Sequence, residues 1–296
     1  VSFDGFLGNP GAVARLRALA AGGRRAHAYV FAGPDGVGKK RAALAFAEAL
    51  GARTTLVERP EDRHEILIAQ VREVIRELGL TSAARRAVVF DEAERMSEEA
   101  MNALLKTLEE PPAGAFLILV TRTPERLLGT IRSRCQTIHF FPLPDEELEA
   151  LARSGSGLAP EDARAAAALS DGSVGRLREL APEIGAIRKE AAELQARVLA
   201  GELNPVVEAL GRIRDTEESR RRAKRQLGLL LQCLRESLRL RSGGAPALAT
   251  PGFLERMGKL DEDEVLEKME SLLDHGRAID LNANVGLAVE DALLRL

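Results

Sequence analysis

Hydrophobic and polar positions along the chain change their period near its middle. From residue 1 to about 141, short apolar runs alternate with stretches whose apolar residues recur every three or four places. That alternation predicts an α/β domain, a parallel five-stranded sheet with helices on both faces. Tyr29-Val-Phe-Ala is apolar throughout and stops at Gly33, so it reads as a buried strand. Leu44, Ala47 and Leu50 follow at helical spacing, and Thr54-Thr-Leu-Val is a weaker second strand. Ile68, Val71, Ile75 and Leu78 form one helical stripe within 66–78, and Ala87-Val-Val-Phe is a third strand ending at Asp91-Glu92. Ser97 is placed to cap the next helix, with Glu98 and Glu99 in its first turn and Met96 and Met101 at the spacing of a hydrophobic staple. Pro111-Pro112 ends that helix. Residues 116–121 and 136–140 predict the fourth and fifth strands.

Beyond Pro142-Leu-Pro the strand signal stops. Residues 145–185 read as short helices broken at SGSGLAP and SDGSVG, and from 187 onward the pattern is helical, with a loop over 242–251. The expected division is an α/β domain over 1–141, a small helical domain over 142–186 and an all-helical domain over 187–296.

Composition narrows the classes. A chain of 296 residues, 45% hydrophobic and 29% charged, has enough apolar material for two or three cores. A net charge of -3 excludes a surface that is basic all round and leaves only a local patch for nucleic acid. No apolar run approaches the roughly 18 residues of a membrane span. The N-terminal VSFDGFLGNPG has neither a basic n-region nor a long apolar h-region, which argues against a secretory signal; it lacks a Met, consistent with a trimmed start. Two cysteines and four scattered histidines offer no four-ligand set, so no metal and no zinc are expected, in a reducing, cytoplasmic setting.

The sharpest chemical signal is GPDGVGKKR at 33–41. Gly33, Gly36 and Gly38 let backbone N–H groups approach a phosphate, and Lys39 reaches toward terminal phosphates from the start of a helix. About fifty residues later VVFDEAE supplies Asp91, suited to a magnesium ion's water shell, and Glu92, suited to orienting an attacking water. A glycine-rich turn alone would not explain this pairing of loop and acidic strand end. The pattern breaks at Lys40, where a Ser or Thr hydroxyl normally ligates Mg²⁺. A second lysine removes that ligand and adds positive charge close to the cation's place. The expectation is a degenerate site that requires no cofactor, in which weak ATP or ADP binding can survive but metal-assisted hydrolysis does not.

Three motifs in order, HAYVFAGPDGVGKK at 27–40, VVFDEAERMSEEAMNALLKTLEEPP at 88–112 and TRTPERLLGTIRSRCQTIHFFPLP at 121–144, resemble the bacterial DNA polymerase III clamp-loader subunits of the AAA+ superfamily. The resemblance covers most of the first 145 residues. It implies a P-loop AAA+ domain, a helical lid and an all-helical collar, with gamma/tau and delta subunits as partners and the sliding clamp and primer-template DNA reached through the complex, away from any membrane. Within the family, departures point to the non-hydrolysing delta prime branch over the gamma/tau ATPase. Lys40 is one. Another is Gly172-Ser-Val-Gly175, where an ATPase carries its sensor arginine at the last place and Arg176 here comes one residue late. A third is Arg122, where an ATPase shows a small polar residue. The family's four-cysteine zinc module is missing between the P-loop helix and the next strand. The resemblance also implies that Arg134, in Ser133-Arg-Cys135, acts in trans as an arginine finger on ATP held by a neighbouring subunit. A planar, permanently charged guanidinium suits that task; the plain alternative is a surface arginine.

The remaining candidates read as structural. Cys135 and Cys233 are expected as packing residues, and His139 as a structural residue of an apolar strand. RRRAKR at 220–225 is expected as a solvated or interface helix face, with DNA contact as the alternative.

Overall fold

The computed structural model describes residues 3, 6–22, 25–60, 62–79, 85–201 and 216–296. Part of the N-terminal stretch read above (residues 1, 2, 4 and 5), and residues 202–215 of the expected helical domain, lie outside the described residues. Five strands follow the predicted runs: β1 (Ala28–Ala32), β2 (Arg53–Val57), β3 (Arg86–Phe90), β4 (Ala115–Thr121) and β5 (Gln136–His139). They form one parallel sheet in the order β2-β3-β4-β1-β5. Helices α1 (Pro10–Ala20), α2 (Lys39–Ala49), α3 (Ile68–Gly79), α4 (Glu98–Glu109) and the short α5 (Gly129–Arg132) cover it.

Strand alternation sorts the core into two layers. Val30, Val88, Phe90, Leu117 and Leu119 face α3 and α4, where Val71, Val74, Leu104 and Leu108 meet them. Tyr29, Phe31, Val89, Ile118 and Val120 face the opposite side, against Leu16 of α1 and Phe46 of α2. Tyr29 and Phe46 pack edge to face with centroids 5.1 Å apart, a favourable aromatic geometry. Ser97 caps α4 by accepting from the Ala100 N–H at 3.2 Å. Helix α3 starts at Ile68, the first residue of its stripe and two residues into the predicted segment 66–78, and Ile66 instead makes an isolated bridge with Met96. His139, read as a structural residue of an apolar strand, is exposed at the end of the edge strand β5.

The remaining helices are α6 (Asp145–Ser156), α7 (Pro160–Leu169), α8 (Val174–Leu180), α9 (Ile184–Ala200), α10 (Glu217–Arg241), α11 (Pro251–Met257), α12 (Glu262–Asp280) and α13 (Val285–Leu294). Helix α6 runs through Ser154 and Gly155, so the predicted break begins later than read. The chain separates into two compact units, one of residues 1–148 with 170–178, the other of 149–169 with 179–296.

In the helical unit one buried carboxylate organises the long loop. Glu236 of α10, 3% exposed, accepts from the N–H groups of Ala247, Leu248 and Ala249 at 2.9, 2.9 and 2.8 Å. Gln195 of α9 holds the other side, donating to the Leu248 carbonyl at 3.0 Å and accepting from the Thr250 N–H at 2.7 Å. Cys233, one turn before Glu236, is fully buried, and burial pushes its thiol far above the ordinary range. Among basic residues of the 220–225 run, Arg220 donates to the Ile279 carbonyl, Lys224 pairs with Asp280 and Arg225 with Glu190. Arg220, Lys224 and Arg225 thus bind their own unit, while Arg221 and Arg222 are exposed.

Removing an acceptor shared by three donors, Leu248 buried and Ala247 and Ala249 part-buried, leaves each to find water or go unpaired, at a cost of up to about 1–3 kcal/mol apiece before relaxation. Glu236→Ala should therefore lower unfolding free energy by roughly 2–4 kcal/mol, and Glu236→Gln, which keeps one carbonyl oxygen, by less. Urea denaturation of the full chain checks this, and a loss within about 0.5 kcal/mol for the alanine variant would contradict it.

Candidate functional site

Parallel pairing brings the ends of β1, β3 and β4 to one edge of the sheet, where α/β proteins bind ligands. Ala32 pairs with Thr121 and Phe90 with Leu119, so Gly33 and Arg122 leave the sheet at one level and Asp91 at the same edge two residues earlier. Gly33 donates its N–H to the Thr121 carbonyl at 3.2 Å. Residues 33–38 then turn into α2, and a cleft of about 670 Å³ opens beside them, lined by Asp35, Gly36, Lys39, Lys40, Asp91 and Glu92 among others. The structure thus brings the sequence-predicted residues of the loop and of β3 together. Arg134 lies apart from them, at the end of α5.

Two glycines of the loop are required by close approach. A Cβ on Gly33 would overlap the Phe140 carbonyl oxygen, and one on Gly36 (φ 74°) would overlap Ser173 Oγ. Ser173 precedes α8 and accepts from the Arg176 N–H at 3.0 Å, while the Gly175 N–H donates to the Gly36 carbonyl at 3.3 Å. The segment expected to carry a sensor arginine therefore meets the loop with backbone and a hydroxyl. Arg176 itself pairs with Asp171 at 2.7 Å.

Every carboxylate around the loop faces a cation of this chain. Lys40 is hydrogen-bonded to Glu58 and lies 3.1 Å from Asp91 Oδ2. Burial works to lower the Lys40 pKa, but these two pairs outweigh it and hold the ammonium above its ordinary range. Glu92 lies 3.4 Å from Arg59 Nε and 3.2 Å from Arg95 Nε. Arg122 bridges Asp35 at 3.2 Å and the buried Glu94 at 3.4 Å. Lys39 is 6% exposed and folds back to donate to the Pro34 carbonyl, and burial lowers its pKa against the pull of Asp35, Glu94 and Asp91.

A phosphate loop that carries Mg²⁺ holds it with a hydroxyl after the lysine and a carboxylate on the neighbouring strand. Here the hydroxyl's place is an ammonium, and the carboxylate is tied to it. These residues do not fit a divalent cation. Glu58, Arg59 and Arg95 were missed by the sequence reading, because no motif marks a loop residue after β2 as a partner of Lys40.

Arg134 is exposed, pairing with Glu109 Oε1 at 2.8 Å and donating to the Thr130 carbonyl at 3.0 Å. Cys135 beside it is half-buried against the α3/α4 layer, and burial raises its thiol pKa to about 12, which makes it inert as a nucleophile at neutral pH. Among the described residues no helix is long and apolar enough to cross a membrane.

The family model described as DNA polymerase III, delta subunit, matches residues 52–144. DNA polymerase III subunit delta' of Bacillus subtilis is 34% identical over 149 residues, 43% of this chain and 45% of that protein. DNA polymerase III subunit tau of Salmonella typhimurium is 34% identical over 159 residues, 45% of this chain and 25% of that protein. The chain spans about half the length of the curated delta' relatives it matches. In fold it is similar to a DNA polymerase III gamma subunit-related protein of Thermotoga maritima, with a TM-score of 0.52 and 18% identity over 95% of this chain and 97% of that one. Over somewhat less than half of its length, then, the chain is similar to delta' and tau subunits of DNA polymerase III, the family model falling on residues 52–144, and its sheet and helices have an AAA+-like fold.

The contact of Ser173 with the loop has a direct test. Gly36→Ala combines a strained φ with overlap on Ser173 and should cost about 1–3 kcal/mol in denaturant unfolding. Adding Ser173→Gly removes the overlap but not the strain, so the double variant should recover part of the loss. Strict additivity of the two changes would show that the residues do not touch.

Proposed function

We propose that this chain is a non-hydrolysing, delta prime-type subunit of a DNA polymerase III clamp loader, a cytoplasmic scaffold that needs no cofactor of its own. Its similarity to delta' and tau subunits over somewhat less than half of its length, with the family model on residues 52–144, supports the family part of this reading. The observation that carries the non-hydrolysing part is the pairing of Asp91 with Lys40 and of Glu92 with Arg59 and Arg95. Hydrolysis at a P-loop needs one carboxylate for the metal and another group to orient water. Both candidates are engaged by fixed cations. A self-sufficient ATPase, the rival reading, would require both to be released.

In this reading gamma/tau and delta subunits are the partners, and sliding clamp and primer-template DNA are reached through the complex. Arg134 supplies a guanidinium to ATP bound by a neighbour. Its exposed pair with Glu109 contributes little stability, so exchanging one carboxylate for a more highly charged phosphate is favourable. The two forked N–H faces suit phosphate oxygens, whereas a lysine would offer only a point charge.

Two outcomes are expected. The isolated protein should show negligible ATP turnover in a radiolabelled assay; steady turnover that disappears in Lys39→Ala would overturn the scaffold reading. Arg134→Ala should leave folding and assembly unchanged but slow the clamp- and DNA-stimulated ATPase of the reconstituted loader, and Arg134→Lys should not restore it. Arginines given in trans are worth about 10³–10⁵ at the site they serve, and other sites in the ring will dilute that loss in bulk. An Arg134→Ala loader with unchanged turnover and unchanged clamp loading would remove the trans role.

A further inference from the structure

We propose that the Lys40 ammonium takes the place of a divalent cation at this phosphate loop, so that its acidic residues bind no metal while Lys40 is present and form a metal site once it is removed. The proposal goes beyond the clamp-loader reading and shares with it only the pairing of Lys40 with Asp91, so the family part and the trans role of Arg134 can fail without it.

Lys40 projects from the first turn of α2, directly after the glycines, from the position that would otherwise carry a metal-ligating hydroxyl. Its Nζ is within hydrogen-bond reach of one oxygen of Glu58 and 3.1 Å from one oxygen of Asp91. Glu58 comes from the chain just beyond β2 and Asp91 from the end of β3, so adjacent strands bring both to the same ammonium. Mg²⁺ requires oxygen ligands at about 2.0–2.1 Å in a near-octahedral shell. A divalent ion set between these carboxylates would meet a positive charge at van der Waals distance, and that charge is covalently tethered. Glu92 cannot compensate, because Arg59 and Arg95 already face it.

A lysine in this role differs chemically from the ion it replaces. It neutralises the carboxylates at any Mg²⁺ concentration and does not leave with a phosphate. It also carries no open coordination position, so it has no water to polarise and cannot act as a Lewis acid. The loop keeps the electrostatic part of a metal's work and loses the chemical part.

The test uses the full chain and Mn²⁺ as the probe, with free ion followed by electron paramagnetic resonance. Wild type should leave the free Mn²⁺ signal undiminished. Lys40→Ser, which supplies a hydroxyl, and Lys40→Met, which only removes the charge, should take up about one equivalent, with the serine variant at least about tenfold tighter than wild type. Adding Asp91→Asn to Lys40→Ser should abolish the uptake. Mn²⁺ should also raise the melting midpoint of Lys40→Ser and leave that of wild type unchanged. Circular dichroism establishes which variants are folded, and uptake by either folded variant supports the proposal. Stoichiometric uptake by wild type that is lost in Asp91→Asn would overturn it. So would folded Lys40→Ser and Lys40→Met that both take up none. If the serine variant does not fold even with Mn²⁺, the methionine variant decides.

Discussion

Complete burial of β4 is the constraint from which the architecture of the sheet unit follows. All seven residues of Ala115–Thr121 are buried, alternately against α3 with α4 and against α1 with α2. A slip of one residue would exchange the two faces and set Leu117 and Leu119 among the aromatic side chains of the other layer. The register is therefore held tightly, and with it the levels at which β1 and β3 end on either side. Gly33, Asp91 and Arg122 converge because their strands have no other way to bury their apolar residues.

Electrostatics of the cleft depend on that convergence. Three strand ends and one helix start crowd charged side chains into a half-buried space where unpaired charges are costly. The chain meets the cost internally: Lys40 faces Glu58 and Asp91, two arginines face Glu92, and Arg122 joins Asp35 to Glu94. Glu94 Oε2 remains without a hydrogen-bond partner among the described residues. Arg95 Nε, though 3.2 Å from Glu92, likewise makes no hydrogen bond, so the result is a largely self-paired ionic cluster on a backbone frame suited to phosphate.

Much of this was legible in the sequence. Short apolar runs bounded by glycine or acid gave the strands to within a residue or so at each end, because buried parallel strands leave an unbroken hydrophobic trace. Lys40 announced itself as a misfit, since the loop motif fixes what each position must do. Its partners did not. Glu58 lies eighteen residues away in an irregular segment, and only the pairing of β2 with β3 brings it to Asp91. Glu236 was equally silent, an ordinary acid in an amphipathic helix until the loop at 247–249 turned three amides toward it. The exposure of His139 was equally hidden, because an apolar neighbourhood in sequence does not tell an edge strand from a central one.

Residues 170–178 belong with the sheet, yet they follow twenty-one residues that belong with the helices. The first unit is thus discontinuous in sequence, and no single cut releases it whole. A chain that has emerged only as far as residue 148 possesses every strand, the glycine loop and the acidic end of β3. It still lacks Ser173 and Gly175, the groups that meet Gly36. During synthesis the loop therefore waits for well over a hundred residues before its cover exists, and contacts of such long sequence separation form late. The order of the chain makes completion of the phosphate loop depend on part of the second unit already having been made.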